Sequence, residues 1–180
     1  MSLLAHYTLL IAACLVALGL PPCLAPEPAA RLYRKVPRCV WSGRVLSAVA
    51  LLWGARLLYL MPFEFLQPYR QWILPLTPVV ILLSWLCMPE LLAARAIGGL
   101  AVLIPTPLLA AVRAHPSDAR LVMTLLAYAL AVSGMLLLMS PYRLRDALDA
   151  ALKTPQRARL SGAVTAGFGI ALALLALWRY

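Results

Sequence analysis

Leu121–Met139 and Leu160–Trp178 are two 19-residue runs without a charged side chain. A helix rises 1.5 Å per residue, so each run reaches about 29 Å, close to the roughly 30 Å hydrocarbon layer of a bilayer. The joint between them, around MSPYRLRDALDAALKTPQRARLSGA, is short, basic and marked by proline. Such a pattern leaves few folds open. Each run is long enough to cross lipid, and the joint is polar enough to stay at its edge.

Composition extends that reading to the whole chain. Of 180 residues, 64% are hydrophobic and 12% charged, whereas soluble domains run nearer half and a quarter. A soluble fold of this size keeps too large a surface to hide so much apolar material. In lipid every backbone polar group must pair internally, which leaves helices or a closed barrel. The apolar runs are continuous rather than alternating, which selects helices. The expected fold class is an all-α membrane protein with six transmembrane helices. They are expected as three helical hairpins, about 1–62, 72–112 and 119–180, in a single polytopic domain with short interfacial amphipathic helices.

The six runs are Leu3–Leu20, Val40–Met61, Trp72–Met88, Leu91–Val112, Leu121–Met139 and Leu160–Trp178. Pro21-Pro22 is expected to close the first. Pro75 and Pro78 should kink or unwind the start of the third, and Pro105-Thr106-Pro107 should bend or break the fourth. Ser117 or Asp118 is placed to cap the fifth. PEPAARLYRKV in the first joint starts like a surface helix, with Pro and Glu in its opening turn. Arg143–Lys153 reads as a second. Leu144, Ala147, Leu148, Ala151 and Leu152 share one face, Arg145–Asp149 and Asp149–Lys153 are i,i+4 pairs, and Pro155 is its stop.

The net charge is +10, from 16 basic and 6 acidic residues. The basic residues gather in the joints, which is an orientation signal rather than a nucleic-acid footprint. Joints alternate sides in a six-span chain. One side collects Arg31, Arg34, Lys35, Arg38, Arg44, Arg95, Arg143, Arg145, Lys153, Arg157 and Arg159, eleven in all. The other collects Arg56, Arg70, Arg113, Arg120 and Arg179. The positive-inside bias then places the first side in the cytoplasm and both termini outside. The expected location is a bacterial inner membrane, with the first run retained rather than cleaved. Cys14, Cys23, Cys39 and Cys87 form no C-x-x-C pair, and Cys23 and Cys39 are expected as free thiols in a reducing compartment.

A motif recurs. RARLSG at 157–162 and RCVWSG at 38–43 both place Arg five residues before Gly, with Ser directly before that Gly. ARAIGG at 94–99 shares Arg-x-x-Gly with the first, at Arg95–Gly98 and Arg159–Gly162. Pro37, Pro89 and Pro155 lie a little upstream of the three. The outer two units, roughly 9–60 and 122–177, resemble the YjeT-like proteins, small two-helix bacterial inner-membrane proteins of unknown function. Those show a span, a Pro- and Arg-rich joint, an Arg-x-x-Gly-type entry and a second Gly-containing span. Arg56 and the middle unit depart from that pattern. The resemblance implies a small inner-membrane accessory protein and no assigned chemistry.

Arg56 lies inside an apolar run, where a charge costs roughly 2.5 kcal/mol or more at the bilayer centre unless it is paired or snorkels. Glu64, eight residues on, is a candidate partner. Arg95 is a second candidate for a buried charge or ligand contact. Arg31, Arg34, Lys35, Arg38, Arg143, Arg145, Arg157 and Arg159 are candidates for contact with anionic lipid head groups. Gly98, Gly99, Ser161, Gly162 and Gly169 are candidates for close helix packing. His6 and His115 form no convincing haem or zinc pair, and Asp146 and Asp149 have basic neighbours rather than further acids. No Gly-x-Ser-x-Gly elbow, His-Glu-x-x-His or phosphate loop occurs. No cofactor and no metal are expected. The reading that follows is a non-catalytic accessory subunit of a larger inner-membrane complex, with other membrane-protein subunits or further copies of itself as partners. A small transporter or lipid-binding membrane protein is the alternative, which the paired prolines favour.

Overall fold

Long stretches of Leu, Ala and Val form helices, and helices account for nearly all of the described residues. The computed structural model describes residues 3–36, 39–62, 64–87, 92–113 and 120–179. Among them are α1 (Leu3–Leu24), α2 (Pro26–Lys35), α3 (Val40–Leu60), α4 (Arg70–Cys87), α5 (Leu92–Leu103), α6 (Pro105–Arg113), α7 (Arg120–Met139), α8 (Tyr142–Ala151) and α9 (Pro155–Arg179). A short 3₁₀ turn, Glu64–Tyr69, precedes α4. Six stretches are long and apolar enough to cross a membrane, with α5 and α6 together making one of them. Arg38, the Pro89-Glu90 joint, His115 and the expected Ser117 or Asp118 cap lie outside the described residues.

Prolines act differently at each place. Pro21 and Pro22 do not close α1, which continues to Leu24. Pro22 is buried there against α9, and packing holds the last turn despite the missing donors. α4 likewise runs through Pro75 and Pro78 without interruption. The expected break does occur in the fourth run. Pro105 has no N–H for the Ala101 carbonyl and Pro107 none for Leu103, so α5 ends at Leu103 and α6 starts at Pro105. Pro155 is not the stop of α8 but the first residue of α9. A proline fits an opening turn because its missing donor is not needed there. Thr154 caps the new helix, accepting from the Arg157 N–H at 3.3 Å.

Packing partners are not chain neighbours. α1 pairs along much of its length with α9, and α5 lies between α3 and α7. α4 packs on α3, and α6 packs on α7 and touches α1. In each expected hairpin unit, the long helices therefore find their main partners outside the unit. In the first and third units a ten-residue helix, α2 or α8, stands between the long helices; α2 and α8 pack on each other and on α9 at one end of the bundle. At the opposite end α1, α6, α7 and α9 converge on a shared core of Leu4, Ala12, Leu108, Ala111, Val112, Met123, Ala127 and Leu172.

Glycine sets the tightest approaches. A Cβ on Gly162 would lie 2.7 Å from the Gly19 carbonyl oxygen and 2.8 Å from the Cys23 nitrogen. On Gly98 of α5 it would stand 3.0 Å from the Gly134 carbonyl oxygen of α7. On Gly43 of α3 it would stand 3.1 Å from the Ala93 nitrogen of α5. Backbones that close gain dispersion contacts that no longer side chain permits.

Candidate functional site

The charged residues concentrate where α2, α8 and the start of α9 meet. α2 carries Arg31, Arg34 and Lys35, α8 carries Arg143 and Arg145, and the first two turns of α9 carry Arg157 and Arg159. All seven are exposed, so they form one basic platform at one end of the bundle. Arg34 ties it together. Its Nε lies 3.1 Å from Asp149 Oδ1, and its Nη2 donates to the Leu152 carbonyl at 2.9 Å. Leu152 closes α8, so the guanidinium also meets the negative end of that helix. Beside it, the Tyr33 hydroxyl donates to the Leu18 carbonyl at 2.8 Å and pins α2 to α1.

These contacts replace the pairs expected within α8. Asp149 goes to Arg34 rather than to Arg145 or Lys153, and Asp146 takes Arg145 at 3.4 Å. A neighbouring helix offers Asp149 a guanidinium that also satisfies a carbonyl, a stronger arrangement than an exposed i,i+4 pair. Neither acid is left to hold a metal, and no group of three potential metal ligands occurs among the described residues. Arg34→Leu removes both contacts. Because this side chain is 44% exposed, the loss should be only about 1 kcal/mol, read as a melting temperature a few degrees lower in detergent.

A half-open cavity of about 290 Å³ lies beneath the Arg34 contacts. Its walls are Glu27, Arg31 and Arg34 on one side and Thr154 and Pro155 on the other, with buried Leu152 and Ala158 at the base. Arg31 and Glu27 approach to 4.0 Å, both well exposed.

Two further arginines sit against aromatic rings at the two ends of the α3–α4 pair. The Arg44 guanidinium carbon is 5.7 Å from the ring centroids of both Trp41 and Trp85, and Trp85 Nε1 donates to Ser47 Oγ at 3.0 Å. At the far end the Arg70 guanidinium carbon is 4.4 Å from the Tyr59 ring centroid. Arg44 to Tyr59 and Arg70 to Trp85 each span 15 residues, about 22 Å of helix. The sequence reading missed both clusters. Their signal is an aromatic residue near an Arg at both ends of an apolar run.

Arg56 points outward from α3 and is exposed, one turn before Tyr59. Glu64 is exposed on the 3₁₀ turn, and the two form no ion pair. Arg56→Leu should therefore leave the melting temperature in detergent nearly unchanged. A fall of several kcal/mol in stability would reveal a buried partner instead. Arg95 is half-buried on the first turn of α5.

No family model, curated protein or solved structure matches this chain. The arrangement must therefore speak through its own geometry. The packing residues divide by partner. Gly162 and Gly169 face α1, and Gly98 faces α7, while Gly99 turns toward Ala50 of α3. Ser161 and Thr165 are half-buried, and their hydroxyls donate back to the Ala158 and Ser161 carbonyls of their own helix. Sequence reading found one glycine of each close pair and missed Gly19 and Gly134, because a lone Gly in a Leu-rich run carries no periodic signal.

Another face of α9 differs. Ala163, Gly167 and Ala171 follow one another at four-residue spacing and are all exposed. A Cβ on Gly167 would meet nothing within 4 Å.

Proposed function

We propose that this is a multi-pass membrane protein acting as a non-catalytic accessory subunit of a larger bacterial inner-membrane complex, with α9 as its docking helix. The carrying observation is the outward Ala163–Gly167–Ala171 stripe. Glycine facing lipid adds no packing, whereas a small-residue stripe lets a second helix approach closely. The same device closes α1 on the opposite face of α9, at Gly162 and Gly169. The basic platform of α2 and α8 supports a cytoplasmic side for that end, with both termini outside. The two aromatic–arginine clusters support insertion of α3 and α4, since Trp, Tyr and Arg gather at both borders of a bilayer. The resemblance of the outer units to YjeT-like proteins agrees with an accessory role.

The test is purification of the tagged chain in mild detergent. A stoichiometric membrane-protein partner is expected, and Gly167→Leu should lose it while melting like the wild type. A chain that purifies alone, or keeps its partner in the variant, overturns this assignment. The alternative, a small transporter or lipid-binding protein, is favoured by the broken α5–α6 helix, since transporters place substrates at such breaks.

A further inference from the structure

The cavity under Arg34 has a feature that a plain basic surface lacks. Its wall carries both signs, with the carboxylate of Glu27 one helical turn from the guanidinium of Arg31. Arg34 shares that wall, but its charge is already matched by Asp149 and its donors are partly taken by Leu152. The remaining polar groups are the exposed Glu27–Arg31 pair at 4.0 Å and the Thr154 hydroxyl, whose oxygen accepts from the Arg157 N–H, above an apolar base of Leu152 and Ala158. A purely anionic head group would bring its phosphate to Arg31 but leave Glu27 facing negative charge. A head group with a phosphate and an ammonium a few bonds apart matches both.

We propose that this cavity binds the head group of an amine-bearing zwitterionic phospholipid of the phosphoethanolamine type. Arg31 takes the phosphate and Glu27 takes the ammonium. The charge complement and the position of the cavity, between α2 and the start of α9 at the basic end, argue for a lipid rather than a soluble phosphoamine. A lipid there has its head between α2 and the first turn of α9. A primary ammonium can donate hydrogen bonds to Glu27, and a trimethylated one cannot. That sets the expected selectivity, with the phosphoethanolamine lipid above its choline analogue. This inference rests on the membrane placement of α2 and α8 and not on the subunit reading.

The experiment is native mass spectrometry of the delipidated full chain, incubated with mixed micelles holding equal amounts of phosphatidylethanolamine, phosphatidylcholine and phosphatidylglycerol. Retention of the ethanolamine lipid should exceed the other two by roughly two- to fivefold, the scale of one well-exposed ion pair. Glu27→Gln should reduce its retention to that of the choline lipid without lowering the glycerol lipid. Arg31→Gln should lower all three. Equal retention of the three lipids by the wild type overturns the proposal, as does an ethanolamine preference that survives Glu27→Gln. Free phosphoethanolamine at the same concentration should not displace the lipid; displacement would show a soluble ligand and overturn the lipid assignment. The wild-type comparison needs no variant, so a misfolded variant does not decide the outcome.

Discussion

Gly162→Leu should separate α1 from α9 and leave the chain without its longest helix–helix contact. The atoms in the way are backbone. A Cβ at 162 would stand 2.7 Å from the Gly19 carbonyl oxygen, 2.8 Å from the Cys23 nitrogen and 3.1 Å from Pro22 Cβ. None of these is the free end of a flexible side chain, so relief requires one helix to move bodily. Overpacking costs roughly 1–3 kcal/mol where side chains can adjust, and more where they cannot. Here the crossing repeats at Gly169, whose Cβ would lie 2.9 Å from the Ala12 carbonyl oxygen. One displaced contact therefore loosens both. The measurement is thermal melting in detergent, with Gly167→Leu as the matched control on the opposite face of α9. The control should melt like the wild type, and Gly167→Ala should gain about 0.5 kcal/mol from better helix propensity. Equal melting of Gly162→Leu and wild type would show that α1 and α9 do not pack in this way.

The six apolar helices were legible because length and lack of charge are local properties. Their ends were less so. Proline was read as a stop at Pro21, Pro22 and Pro155, yet its effect depends on what packs beside it. Buried against α9, Pro22 sits inside a helix, and at the opening of α9 Pro155 is favourable rather than disruptive. Only at Pro105 and Pro107 did two missing donors, past the middle of the run, break the helix as expected. The surface helices were legible from their own polarity, but their connection was not. Arg34 and Asp149 are 115 residues apart in sequence. No spacing rule reaches across the chain to pair them, and both have nearer partners of opposite charge.

The recurring motif anticipated helix crossings better than it anticipated hairpins. Its three glycines, Gly43, Gly98 and Gly162, each stand at a close approach. A glycine marks where a neighbour comes near, not which neighbour it is. Gly43 receives α5, Gly98 receives α7 and Gly162 receives α1. Adjacent spans were the natural guess for short joints, but α2 and α8 turn the joints into ten-residue spacers. The same limit applies to the candidate cavity. Glu27 and Arg31 stand together because they are i,i+4 on one helix, whereas Thr154 joins them only through the packing of α2 on the start of α9.

Cys39 should react with a membrane-impermeant thiol reagent in inverted membrane vesicles and not in intact cells. It is a free, exposed thiol directly before α3, two residues from Trp41 of the Trp41–Arg44–Trp85 cluster. The proposed topology puts that end in the cytoplasm, by eleven basic residues against five. The thiol is also predisposed to react. Backbone and hydroxyl hydrogen bonds from Ser42, with a further backbone bond from Trp41, hold its pKa below the ordinary value. A depressed thiol pKa means that the thiolate persists to lower pH. Alkylation of Cys39 should therefore rise with pH over a lower range than that of an unperturbed thiol. Ser42→Ala should move that rise upward. An engineered cysteine near Tyr180 supplies the opposite arm, with labelling expected in intact cells. Labelling of Cys39 in intact cells, with none near Tyr180, would invert the topology. It would also move the cavity of Glu27 and Arg31 to the outer leaflet, while leaving its head-group chemistry unchanged.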